Sequence, residues 1–281
     1  MAHPPKNRRK PGAHHRPPKE KGRALAAFTG AAPAEIRFGM ERETRDLVGR
    51  MLKIGFGLLC VPLSWITFET LFILVTHSVS PKGFWMTKEF AYYGLGAAIW
   101  LAFFFNLRFP TFTYLYVLGH EYTHAAAALV CRGNVTDIKV TPDGGYILTN
   151  RNNFFIALSP YIVPFYTVLL LAGWMLAKQR WNLEAHETVL YILVGLTHMF
   201  HLSYTIWMIA QPEQPDLDHS GRLFSIPFIL WVNLLIISAF LIIGQSAASP
   251  AQYLGLWGHN AATFCPRLLE SCREIWSFFR D

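Results

Sequence analysis

The feature that most restricts this chain is Gly119-His120-Glu121-Tyr122-Thr123-His124, followed directly by Ala125-Ala126-Ala127-Ala128-Leu129. Strongly polar side chains sit here in a run otherwise apolar enough to lie in a membrane. On a helix, residues four apart share a face, so His120 and His124 present both imidazoles to one point and can hold one Zn²⁺. Glu121 stands beside them, where a carboxylate can serve as general base toward a water polarised by the metal. Two imidazoles and a carboxylate are costly against lipid, so this face requires a partner or a water-filled cavity. The helix is therefore expected inside a bundle, with chemistry on its buried side.

Composition agrees with a membrane setting. The chain is 52% hydrophobic and 15% charged, against about 25% charged in an ordinary soluble domain. Its net charge of +7 is concentrated at one end: residues 1–23 hold eight Lys or Arg and one acidic residue, Glu20. A basic tail beside a first membrane segment is a topology determinant or an anionic-lipid contact, and no nucleic-acid partner is expected. The four cysteines, Cys60, Cys131, Cys265 and Cys272, have no paired short spacing that would make a disulfide framework or a zinc ribbon.

Taken in order, residues 1–33 read as a disordered basic tail. Residues 34–53 alternate charges of both signs among apolar residues, as an interfacial helix does. Six apolar stretches follow within residues 54–245: 54–76, 90–106, 111–130, 154–176, 189–209 and 224–243, each near the length that a bilayer core demands. The expected fold is thus an all-α polytopic membrane protein of about six transmembrane helices, integral to the cell membrane and in contact with the lipid bilayer. Between the third and fourth stretches, Val135–Val140 and Tyr146–Thr149 flank Thr141-Pro142-Asp143-Gly144-Gly145, which reads as a small β-hairpin after the metal-binding helix. Such a hairpin is either an ordinary surface feature or a sheet edge offered to an extended peptide. Residues 246–281 form a C-terminal tail whose Leu268, Cys272, Ile275, Trp276 and Phe279 fall on one helical stripe, suiting an amphipathic helix on the membrane surface.

A catalytic zinc site has three protein ligands and leaves one position for water. Candidates for the third ligand are Asp216, Asp218, His198, His201, His219 and Glu69. Asp216 and Asp218 stand out because Pro212 and Pro215 keep their loop from being helical, and alternating crossings bring that loop to the same side as the C-terminal end of the motif helix. Asp216 is the preferred candidate. Pro160 and Pro164 in the fourth stretch break its helical ladder and free carbonyls, which is tolerated where they line a cavity or meet another helix.

His120-Glu121-x-x-His124 within a span, a β-like loop, a proline-marked span and a downstream aspartate together resemble the site-2 protease family of intramembrane zinc metallopeptidases. The likeness covers residues 111–243. It implies that His120 and His124 are zinc ligands, that Glu121 is the catalytic base, and that an aspartate about a hundred residues on, where Asp216 falls, is the third ligand. The hairpin would correspond to the family's membrane-associated β element, which handles substrate. The family's Asn-Pro-Asp-Gly or Leu-Asp-Gly motif is present only as Gln214-Pro215-Asp216-Leu217 and Asp218-His219-Ser220-Gly221. The function expected is that of a zinc metalloprotease cutting peptide bonds of membrane-protein or peptide substrates. The rival readings are a non-proteolytic metal transporter or sensor using His120, His124, His198 and His201, and a scaffold without chemistry.

Overall fold

The computed structural model describes residues 34–76, 87–107, 110–141, 144–212, 214–245 and 249–280. The basic tail expected at 1–33 lies outside them. The chain divides into two units, 1–52 and 53–281, and every contact described below is within the second. Helix α1, Ala34–Thr76, is continuous through the segment expected to be interfacial and into the first apolar stretch.

Helix α2, Lys88–Asn106, opens on Thr87, whose side-chain oxygen accepts from the Phe90 N–H at 3.3 Å. It lies along α6, Glu187–Ile209, at very short range. Two glycines allow this: a Cβ at Gly96 would fall 1.9 Å from the Ile192 carbonyl oxygen, and one at Gly195 would fall 2.0 Å from that of Tyr93. Trp100, Tyr116, Phe200 and Tyr204 fill the space between α2, α6 and α3, with the Trp100 and Phe200 rings 4.7 Å apart. The Trp100 Nε1–H donates to Ser203 Oγ at 2.8 Å, so the large ring is buried without an orphaned donor.

Helix α3, Pro110–Val130, carries the motif. Its end is a Schellman turn in which Arg132 takes φ 58° and the Gly133 N–H reaches back to the Ala128 carbonyl at 2.8 Å. The turn feeds strand β1, Val135–Thr141, which pairs antiparallel with β2, Gly144–Thr149, in the register Ile138↔Ile147, Lys139↔Tyr146 and Val140↔Gly145, with an irregularity between Val135 and Asp137. Helix α4, Phe154–Ile162, is capped by Asn153, whose Oδ1 accepts from the Ile156 N–H at 2.9 Å. It stops at Val163-Pro164, and α5, Phe165–Lys178, departs from it at 72°. After α6 come a one-and-a-half-turn helix α7, Pro215–Ser220, and the long α8, Arg222–Gln245. Leu158, Tyr161, Ile162, Leu217, Phe224 and Ile229 join α4, α7 and α8 in one apolar core.

The last helix, α9, Pro250–Arg280, fastens to α1 and α8 by polar pairs: Asn260 Nδ2 donates to Thr70 Oγ1 at 3.0 Å, Trp257 Nε1 to Thr67 Oγ1 at 3.1 Å and Tyr253 Oη to Ser238 Oγ at 3.1 Å. Arg267 grips the Glu69 carboxylate with two guanidinium nitrogens, which resolves the cost of an acidic side chain on α1.

Among the described residues, three helices are long and apolar enough to cross a membrane, at Leu47–Thr76, Glu184–Ile209 and Arg222–Phe240. The pairs Lys88–Asn106 with Pro110–Val130 and Phe154–Ile162 with Phe165–Lys178 bring the number to five if each bent pair is one span. Six separate spans are not reached on this count. The polar motif lowers the hydropathy of α3, and prolines divide the fourth apolar stretch into two short helices.

Candidate metal centre

Spacing along α3 assembles the first half of the site. Tyr116, His120 and His124 recur every four residues and therefore share one face, and all three are buried. Small residues behind that face admit the neighbours: Ala127 and Ala128 pack against Ile156 of α4, and a Cβ at Gly119 would already be 3.0 Å from the Tyr166 ring. Asp216 arrives from the first turn of α7, ninety-two residues beyond His124.

The three ligand atoms converge. His120 Nε2 and His124 Nε2 are 3.1 Å apart, and Asp216 Oδ2 is 3.2 Å from the first and 3.3 Å from the second. Tetrahedral coordination with bonds of 2.0–2.1 Å separates ligand atoms by about 3.3 Å, so this donor set fits an ion such as zinc without rearrangement. Among the described residues, this is a group of His, Cys, Asp and Glu able to hold a metal.

The far side of each ring is also engaged. His124 Nδ1 lies 2.8 Å from the Ile156 carbonyl oxygen, an acceptor only, so Nδ1 carries the proton and donates while Nε2 keeps its lone pair for an ion. That carbonyl is free for a definite reason: its helical partner would be the amide of residue 160, and Pro160 has no N–H. Ser159 Oγ donates to the same oxygen at 2.9 Å. His120 Nδ1 is 3.2 Å from Tyr116 Oη, which leaves the Nε2 of this ring facing the cluster as well.

Asp216 is the acidic member. Burial alone would raise its pKa, but hydrogen bonding to His120 and His124 prevails and holds the carboxyl below the usual carboxylate range. It is an anion facing two imidazoles.

Glu121 does not join the ligands. It faces a cavity of about 600 Å³ whose wall also includes His120, His124, Asp216 and the whole of β2. Strand β2 passes directly above it: a Cβ on Gly145 would lie 2.6 Å from Glu121 Cγ and 2.7 Å from the Lys139 carbonyl oxygen. Only glycine allows the strand and the carboxylate to occupy these positions together.

The other candidates lie elsewhere. Asp218 pairs with Arg222 at 2.9 Å on the outer side of α7, and His219 is exposed. Glu69 is held by Arg267. His198 and His201 are buried on α6 outside the group, with His198 Nδ1 2.8 Å from Tyr93 Oη. Sequence reasoning overlooked Tyr116, Gly145 and Gln214. Tyr116 was legible, since it precedes His120 by four residues; nothing local marks the other two.

Residues 91–210 match the family model described as Peptidase M50B-like, the site-2 protease family. Over this segment the chain is similar to that family. The match includes the motif helix, the strand pair and the proline-broken helices, and ends six residues before Asp216. No curated protein and no solved structure matches the chain. The site-2 protease-like segment supports a metallopeptidase embedded in a membrane, and the third candidate ligand is contributed by the chain just beyond it.

Proposed function

We propose that this protein is an intramembrane zinc metalloprotease that hydrolyses peptide bonds of membrane-protein substrates. In this reading His120, His124 and Asp216 hold the ion and Glu121 is the catalytic base. One observation carries it: three ligand atoms at tetrahedral spacing lie on the wall of a cavity that also exposes a carboxylate and a β-strand.

A zinc ion bound there supplies Lewis acidity, acidifying water and polarising the scissile carbonyl. The protein's own residues do the rest. Glu121 accepts a proton from the attacking water and returns it to the leaving amine nitrogen. The Ile156 carbonyl and the Tyr116 hydroxyl fix the two imidazoles so that each Nε2 stays directed inward. Strand β2 borders the cavity over Gly144–Thr149, so an extended peptide can align on its main chain and bring a scissile bond to Glu121. A substrate helix would have to unwind to enter.

The chain is read as a multi-pass protein of the cell membrane, with six crossings where Lys88–Asn106 and Pro110–Val130 traverse separately. Among the described residues, His198 and His201 stand outside the group formed by His120, His124 and Asp216, which favours this reading over a transporter or sensor using all four histidines.

The test is metal analysis of the purified protein combined with cleavage of a reporter transmembrane peptide in liposomes. The expected result is one zinc per chain and cleavage that stops on chelation and returns with Zn²⁺. Absence of stoichiometric metal, or cleavage indifferent to its removal, would sink the proposal.

A further inference from the structure

The Tyr161 hydroxyl lies at the centre of the site but off the cavity wall. Its ring stands edge-on to His120, with centroids 5.3 Å apart at 86°, and the residue is fully buried. We infer that Tyr161 is the positioning residue of the third metal ligand, its hydroxyl donating to Asp216 Oδ2 and fixing that carboxylate against the two imidazoles. The inference rests on the metal-centre reading above.

Tyr161 Oη lies 3.4 Å from Asp216 Oδ2 and 3.1 Å from Gln214 Oε1. One phenolic proton serves one of these acceptors well. A hydrogen bond to an ionised carboxylate is roughly twice as strong as one between neutral groups, which favours Asp216. The Gln214 carboxamide has a second way to be satisfied. Its oxygen and nitrogen ends have nearly the same shape, so half a turn about its terminal bond places the NH₂ against Tyr161 Oη. Gln214 then donates to Tyr161 and Tyr161 donates to Asp216, a two-step relay in which each buried polar group has a partner.

The need for such a residue follows from where Asp216 sits. It begins a helix of six residues, too short to hold a side chain still by its own backbone. Tyr161, by contrast, is locked at both ends. Its ring is packed among Leu158, Ile162, Leu217, Phe224 and Ile229. Its carbonyl, beyond the last complete turn of α4, accepts from Asn233 Nδ2 of α8 at 2.9 Å. The core that packs Tyr161 thus reaches the Asp216 carboxylate through one hydroxyl.

The experiment is zinc titration of the metal-free, full-length protein in detergent against a chromophoric chelator, with Co²⁺ absorption as a second readout. Tyr161→Phe keeps the ring and removes the hydroxyl. Its zinc Kd is expected to rise about 10–100-fold, the range for losing an outer-shell partner, with a shifted Co²⁺ band. Gln214→Met, which removes the first step of the relay and leaves the Tyr161 hydroxyl on Asp216, is expected to raise the zinc Kd by less than Tyr161→Phe does. In an Asp216→Asn background, Tyr161→Phe should cost nothing further, which separates action through the carboxylate from a general loss of stability. Wild-type zinc affinity in Tyr161→Phe overturns the inference, as does an equal loss in both backgrounds or a loss in Gln214→Met as large as that in Tyr161→Phe. A wild-type protein that takes up no zinc removes the metal-centre reading itself, and this inference with it.

Discussion

Two pairs of histidines are buried among the described residues of this bundle, and one of the two stands in a group that could hold a metal ion. His120 and His124 lie four residues apart on α3; His198 and His201 lie three apart on α6, and all four are buried. The first pair meets a carboxylate from α7, has an acceptor or hydroxyl behind each ring, and borders a cavity of about 600 Å³. In the second pair, His198 packs edge-on against Phe240 at 4.9 Å and touches the Tyr93 hydroxyl, His201 faces the Asn233 side chain and the Tyr161 backbone, and among the described residues Nε2 of neither is hydrogen-bonded. Burial and helical spacing are therefore common to both. What separates them, among the described residues, is an anion within reach of both rings and a cavity of that size beside them, and each of these comes from elsewhere in the chain.

The comparison breaks or sharpens under substitution. The largest effect is expected from Glu121→Gln: cleavage of a reporter substrate should fall by at least about 10³-fold, within the range for a lost general base, while zinc content stays at one per chain. Turnover at the wild-type rate would remove Glu121 from the mechanism. Next is ligand removal. His124→Ala or Asp216→Ala should weaken zinc binding by more than about 100-fold, beyond what an outer-shell loss costs, and Asp218→Asn should leave it unaltered. The second pair provides the contrast: His201→Phe should retain stoichiometric zinc, and loss of the metal in that variant would erase the distinction drawn here. Gly145→Ala should lower turnover by about tenfold without changing zinc content, because the new methyl group displaces either β2 or the Glu121 carboxylate, and misplacing a reacting group by an ångström can cost about 10²-fold. The smallest effect belongs to Arg267→Met, which strands Glu69 without its partner; a lower melting temperature with unchanged zinc binding is expected.

Local pattern made much of this visible in advance. The four-residue spacing of His120 and His124 and the apolar runs are properties of neighbouring residues, so the motif helix and the helical bundle could be read from them. Arg108-Phe109-Pro110 separated two apolar stretches, yet whether these count as one span or two depends on geometry that no window of sequence contains. The same limit applies within the site. Asp216 emerged as a candidate from loop chemistry and resemblance, but its choice over Asp218 needs α7 to turn one carboxylate inward and the other toward Arg222. Glu69 invited a functional reading until Arg267, 198 residues away, was found to hold it. Gly145 had the look of ordinary turn chemistry; its importance comes from a carboxylate on another element passing beneath it.

Pro160 carries a lesson for anyone wishing to toughen this protein. Replacing a helix-interior proline with alanine is a standard recipe for ruggedness, since it heals a broken ladder. Here the healed amide would claim the Ile156 oxygen, and the imidazole now leaning on that oxygen would be free to swivel. The imperfection in one helix is thus a tool used by its neighbour, and a sturdier scaffold would hold that imidazole less firmly.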